Sequence, residues 1–211
     1  MGLEITVGNP AMGDDEGELY HHRRFVRLAQ ALDNSGHTGW TAPPAPAAPW
    51  GLARPHTAGF SYSYLNRLQR VYALHVEGLP VTPVTTASDL DDAQAAIEDA
   101  TSLLSSHLLC HSDSAGYYVP VPLGDPVFLP EEAEVAGAGM VGSSNDLLRE
   151  LIRIAPLIGV RLERDGTLSD AEAERVHRDS GDPYEVEQTV WLALHESCLV
   201  SIATGQPIVY H

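Results

Sequence analysis

From Tyr184 to Thr204 the chain reads YEVEQTVWLALHESCLVSIAT. Val186, Val190, Trp191, Leu194, Cys198, Leu199 and Ile202 fall at helical spacings, but they spread over most of the circumference instead of one stripe. A helix apolar on so many sides has to be surrounded by other elements. Asp182-Pro183 precedes it and Gly205 follows, the residue that most readily takes the left-handed conformation at a helix C-terminus. The rest of the chain must therefore supply layers that cover this helix. That predicts a helix-rich fold with a central C-terminal helix.

Other segments carry weaker but consistent signals. Leu3-Glu4-Ile5-Thr6-Val7 alternates apolar and polar, the period of a half-buried strand, and Gly8-Asn9-Pro10 ends it. Asp14 or Asp15 caps an expected helix from about residue 16 to 32. A second is expected from Ser61 or Ser63 to about residue 76, stopped by Gly78 and Pro80. SDLDDAQAAIEDATSLLSS, from Ser88, predicts a third, with Leu90, Ala93, Ile97 and Leu104 facing the core. Ser143 or Ser144 caps a fourth whose apolar face is Leu147, Leu148, Leu151, Ile152, Ala155 and Ile158. Ser169 and Glu172 stand at the spacing of a capping box. Strands are expected near 3–7, 107–111, 117–121, 160–163 and 207–210. Residues 35–59, which contain TAPPAPAAPWGLARP, are expected to form a Pro-rich loop packed through Trp40 and Trp50. The fold class these signals predict is α+β, a helix-rich single domain over residues 1–211 with a small, mostly antiparallel sheet.

Charge limits what the surface can do. The chain carries a formal net charge of −17. Residues 1–60 hold six acids and four arginines, and residues 61–211 hold twenty-three acids and eight arginines. Such a surface disfavours binding to nucleic acid phosphates, so no nucleic acid is expected among the partners. A basic protein is the partner that the acids would steer. The glycines at 137, 139 and 142 do not have the spacing of a phosphate loop. The N-terminus has no basic segment followed by an apolar one, and no apolar run reaches the length of a membrane span. The two cysteines, Cys110 and Cys198, lie in apolar surroundings and are expected as reduced thiols. The expectation is a cytoplasmic protein that needs no cofactor and no membrane.

The densest group of reactive side chains lies in His107–Val121, HLLCHSDSAGYYVPV. It reads as strand, turn and strand, with Ser-Asp-Ser-Ala-Gly as the turn. On an extended strand His107 and His111 share a face, and Asp113 joins them if the extension continues. Tyr117 and Tyr118 would be rigid anchors beside the acids. The expected binding residues are His107, His111, Asp113, Ser114, Tyr117 and Tyr118, serving an acidic protein-binding module. An immunity or antitoxin-like inhibitor of a basic partner fits that profile. The alternative is a metal-dependent or other small-molecule hydrolase built on His107, His111 and Asp113, with His195 or Glu196 from the long helix. No HExxH or other metal signature accompanies it. Cys110 and His111, as neighbours on a strand, would face opposite sides and form no nucleophile pair.

The N-terminal M-x-L-x-I-x-V-G pattern, HLLCHSDSAGYYVPV, GSSNDLLREL, LSDAEAERV and the closing PYEVEQTVWLALHESCLVSIATGQPIVY together resemble an uncharacterised family of proteins from high-GC bacteria. The likeness spans nearly the whole chain outside the Pro-rich loop. It implies a compact unit and carries no activity with it. The H-S-D-x-x-G-Y-Y segment is the part expected to be diagnostic.

Overall fold

The computed structural model describes residues 2–8, 15–44, 59–86, 88–91, 93–112, 115–135, 137, 139–178 and 181–211. Six strands form one sheet: β1 (Gly2–Val7), β2 (Gly59–Ser61), β3 (Gly116–Val119), β4 (Val127–Phe128), β5 (Met140–Ser143) and β6 (Ile208–Tyr210). Their order is β2-β1-β6-β3-β5-β4. The β3–β5 pair is parallel and the other four pairs are antiparallel. The helices are α1 (Asp15–Asn34), α2 (Tyr62–Val76), α3 (Ser88–Asp91), α4 (Gln94–Ser102), α5 (Ser144–Ile154), α6 (Asp170–Arg178) and α7 (Glu185–Thr204). This is the expected helix-rich α+β fold with a mixed sheet.

Alternation along the strands sorts the core into two layers. Leu3, Ile5, Tyr118, Ile208 and Tyr210 pack with α2, α5 and α7. Tyr117, Val119, Val141 and Val209 pack against Phe25, Leu28 and Leu32 of α1 and against Trp40. α7 is central as expected: Trp191 Nε1 donates to Leu151 O of α5 at 2.8 Å, and Gln188 Nε2 donates to Ile158 O at 2.8 Å. It is not wholly enclosed, since Leu199 is 40% and Ile202 38% exposed. Among the described residues no helix is long and apolar enough to cross a membrane.

Several expected elements fall differently. Residues 107–111 form turns, not a strand. The Glu150 carboxylate of α5 accepts from His107 N at 2.9 Å, Leu108 N at 2.8 Å and Ser106 Oγ at 3.3 Å. An N–H held by a side chain is lost to a strand ladder, so β3 pairs instead with β6 and β5. Residues 160–163 also lack ladder pairing. Arg161 N donates to Glu172 Oε1, and Glu163 N to Thr167 O across the Asp165-Gly166 turn. The long helix expected after Ser88 is split into α3 and α4. Leu104, expected in the core, is 51% exposed with φ +53°. In the Pro-rich segment, Trp40 is buried and its Nε1 donates to Gly205 O at 3.1 Å. Residues 45–58, Trp50 among them, lie outside the described residues.

Two helix starts behave as their sequences predict. The Ser143 hydroxyl accepts from Asp146 N at the start of α5. Ser169 Oγ accepts from Glu172 N at the start of α6, at 3.3 Å. The Glu172 carboxylate does not complete a capping box, because two arginines claim it.

Two glycines are required by aromatic rings. A Cβ on Gly142 would lie 2.3 Å from the Tyr118 ring, and one on Gly116 would lie 2.3 Å from the His111 ring. Gly142→Ala is therefore expected to destabilise the protein by about 1–3 kcal/mol through overpacking, read from chemical denaturation. Glu150 gives a second expectation. Burial raises its pKa to about 7, against the lowering effect of the His107 and Leu108 N–H groups. Since the folded value exceeds the unfolded one, its contribution to stability is full below about pH 4.5 and declines as pH rises towards 7. Glu150→Gln places an amide NH2 against donors and should cost roughly 1–3 kcal/mol at pH 5. The stability difference between variant and parent should shrink between pH 5 and 8, which denaturation midpoints across that range would show.

Candidate functional site

The expected site residues are mostly interior. His107 is buried, and its Nδ1 accepts from Ser143 N at 3.0 Å. The proton therefore sits on Nε2, which faces Gly124 O at 3.2 Å and Asp146 Oδ2 at 3.6 Å. Burial lowers the His107 pKa, so the ring is neutral at pH 7. Asp146 Oδ2 also accepts from Leu123 N and Gly124 N, so histidine and carboxylate together pin the loop after β3 to the start of α5.

His111 is buried and stacks on Tyr118 with ring centroids 4.2 Å apart and an 11° angle between planes. Its ring nitrogens face Ser112 O at 2.8 Å and Tyr117 O at 3.3 Å, and burial pushes its pKa down to about 4. The Tyr118 hydroxyl donates to His107 O at 2.9 Å. Tyr117 is 1% and Tyr118 0% exposed. They belong to a strand with neighbours on both sides and send their rings to opposite faces of the sheet. That corrects the expectation of two exposed tyrosine anchors. Asp113 and Ser114 lie outside the described residues.

The two histidines thus do different work. His107 bonds to β5 and the loop near Gly124, while His111 completes an aromatic cluster with Tyr118 and Tyr210. His195 is buried too, stacked on Trp191 at 4.6 Å and 3.3 Å from Glu196 Oε1. Among the described residues no group of three or more His, Cys, Asp or Glu side chains could hold a metal ion. Cys198 is fully buried and Cys110 half-buried, and burial raises both thiol pKa values, which disfavours the nucleophilic thiolate.

What remains for chemistry is the arrangement of charge. Asp146, Glu150, Glu172, Glu187 and Glu196 are buried and contribute little to the surface. Several arginines are committed internally. Arg70 is buried and donates to Asp89 O at 3.1 Å and Thr82 O at 2.7 Å. Arg161 and Arg175 meet on Glu172 at 2.9 and 2.7 Å. Burial would raise the pKa of that carboxyl, but the hydrogen bonds from the two guanidinium groups hold it at about 2. Arg149 pairs with Asp146, and Arg178 with Glu174.

Glu77, Asp91, Glu98 and Asp99 stand exposed along the end of α2 and on α3 and α4. Asp125, Glu131, Glu132 and Glu134 stand exposed between β3 and β5. These two groups lie on opposite sides of the sheet, since α4 packs on α2 and the Glu131–Ala133 turn packs on α1. The sequence held a signal for both. Between Arg70 and Arg149 there are twelve acids and no lysine or arginine. Taken whole, residues 61–211 also contain the eight remaining arginines, all of which lie outside that stretch. The field of exposed carboxylates reaches over a Debye length, about 8 Å at physiological salt.

The profile of one protein family, described as "Putative DNA-mimic protein", matches residues 1–210. Neither the curated proteins nor the solved structures contain a match to the chain. The family description conflicts with the expectation of no nucleic acid among the partners, because a DNA mimic points to proteins that bind DNA. With the match running over nearly its full length, the chain belongs to this family.

Proposed function

We propose that the protein occupies the DNA-binding surface of a partner protein and keeps DNA from it, working in the cytoplasm as an inhibitor of the immunity or antitoxin kind. The observation that carries this reading is the cation-free stretch from residue 71 to 148, whose exposed carboxylates stand in a chain of the DNA-mimic family. A DNA-binding surface is built from arginine and lysine placed to meet phosphates, and it releases counterions when it does so. Exposed carboxylates offer the same sign of charge to the same side chains. They also speed encounter, because opposite fields steer diffusion.

In this reading His107, His111, Tyr117 and Tyr118 have a supporting part, in keeping with their burial. They hold the sheet and the start of α5, and so keep the loop between β3 and β5 in place.

The test is displacement. The immobilised protein is exposed to a lysate of the cell that makes it, and retained proteins are challenged with duplex DNA of random sequence. The expected result is a retained protein that DNA releases, with affinity falling by at least about tenfold between 50 and 200 mM salt. The triple variant Asp91→Asn, Glu98→Gln, Asp99→Asn should slow association while leaving the thermal midpoint within a few degrees. Retention that duplex DNA leaves unchanged would overturn the proposal.

A further inference from the structure

We infer that Leu103 and Leu104 form the apolar anchor of the docking surface, taking the place that base edges hold in DNA. The inference rests on the proposed function, and it names the kind of DNA-binding partner the surface fits. The outer side of α4 presents Gln94, Ala95, Glu98, Asp99 and Ser102 to solvent. These positions recur at helical spacing and form one face. Leu103 continues the helical backbone with φ −71° and ψ −16°, so it lies one turn beyond Asp99 on that same face. It is 64% exposed, and Leu104 beside it is 51% exposed. The face therefore ends in two adjoining leucines in water, directly next to two carboxylates.

Leu104 is also in the left-handed region, with φ +53°. That conformation is sterically unfavourable for a side chain of this kind and is normally left to glycine or asparagine. Among the described non-glycine residues only Glu134, with φ +52°, shares it. Gly159 and Gly205 occupy the left-handed positions that end the turn after α5 and the helix α7. At the end of α4 a leucine stands there, and its side chain is not inserted into the core. The tip is firmly held nonetheless. Leu104 N donates to Thr101 O at 2.9 Å. The residues that follow, Ser106 to Leu108, are gripped by Glu150. An apolar group presented on a fixed stem loses little freedom on binding.

The chemistry identifies the occupant. Proteins that read or bend DNA carry two kinds of group on one surface. Arginine and lysine meet phosphates, while apolar side chains touch thymine methyls or wedge between base steps. Carboxylates alone would satisfy only the first kind. Glu98 and Asp99 beside Leu103 and Leu104 offer something to both. The fitting partner is a DNA-binding domain with apolar base-contacting side chains set within its basic surface.

The experiment uses the intact chain and the protein that it captures and that duplex DNA releases. Binding kinetics are compared for the parent, Leu104→Gly, Leu103→Ser and the double variant. The double variant should bind at least tenfold more weakly. The loss should lie in faster dissociation, with the association rate and its salt dependence unchanged because the carboxylates are intact. Leu104→Gly alone should keep or raise the thermal midpoint, since it removes the unfavourable backbone conformation, and so separates docking from folding. Unchanged dissociation in the double variant would overturn the anchor while leaving the proposed function standing. A shift in the oligomeric state of the double variant on size exclusion would overturn it as well, by assigning the leucines to contact between copies. If no captured protein is released by DNA, the proposed function falls and the anchor falls with it.

Discussion

The structure turns on the Glu150 carboxylate. By taking the His107 and Leu108 amides it bends residues 106–109 into a turn and removes them from the sheet. That turn sets the imidazole of His107 against Ser143 N, at the point where β5 becomes α5. From there the links run outward through the Ser143 cap and through Asp146, which holds Leu123 and Gly124. One buried acid thus joins α5, the residues preceding β3 and the loop beyond it. The arrangement follows a general rule, that a buried polar group persists where hydrogen-bond partners converge on it.

Much of the architecture could be read from the chain because its signals were local. α1, α2 and α7 follow from periodic apolar residues, with glycine stops after α2 and α7, and α5 and α6 from their serine caps. β1 and β6 follow from period-two patterns at the two ends. Residues 107–111 look like the first strand of a hairpin because His107, Leu109 and His111 alternate like a strand. What decided their conformation was a glutamate some forty positions away. β4 and β5 escaped notice because each is short, and β5 contains Gly142, a residue needed only because the Tyr118 ring lies over it. The exposed face of α4 was visible in its acids, but the helix was extended too far. Nothing in SLLSS announces that Leu104 leaves the helical path.

The histidine and tyrosine cluster shows how chemically suggestive side chains can be structural. His111 lies stacked on Tyr118, with Tyr210 edge-on beside it. A neutral imidazole is well suited to such a place, as it packs as a flat ring while one nitrogen satisfies a carbonyl. The surface, by contrast, is made of ordinary acids whose meaning lies in their number along a stretch that holds no lysine or arginine. Residue types draw attention to the first group; the run of charge along the chain, together with its exposure, reveals the second.

β6 occupies the middle of the sheet, between β1 and β3, yet it follows every other element in the chain. Until it arrives, the two strands that flank it have no common neighbour, and α7, around which the helices gather, is nearly as late. The sheet therefore cannot be assembled progressively from its beginning. Long-range closure of this kind tends to be slow, so a nascent chain would carry β1 with only β2 beside it through most of synthesis, its other edge open until β6 is made.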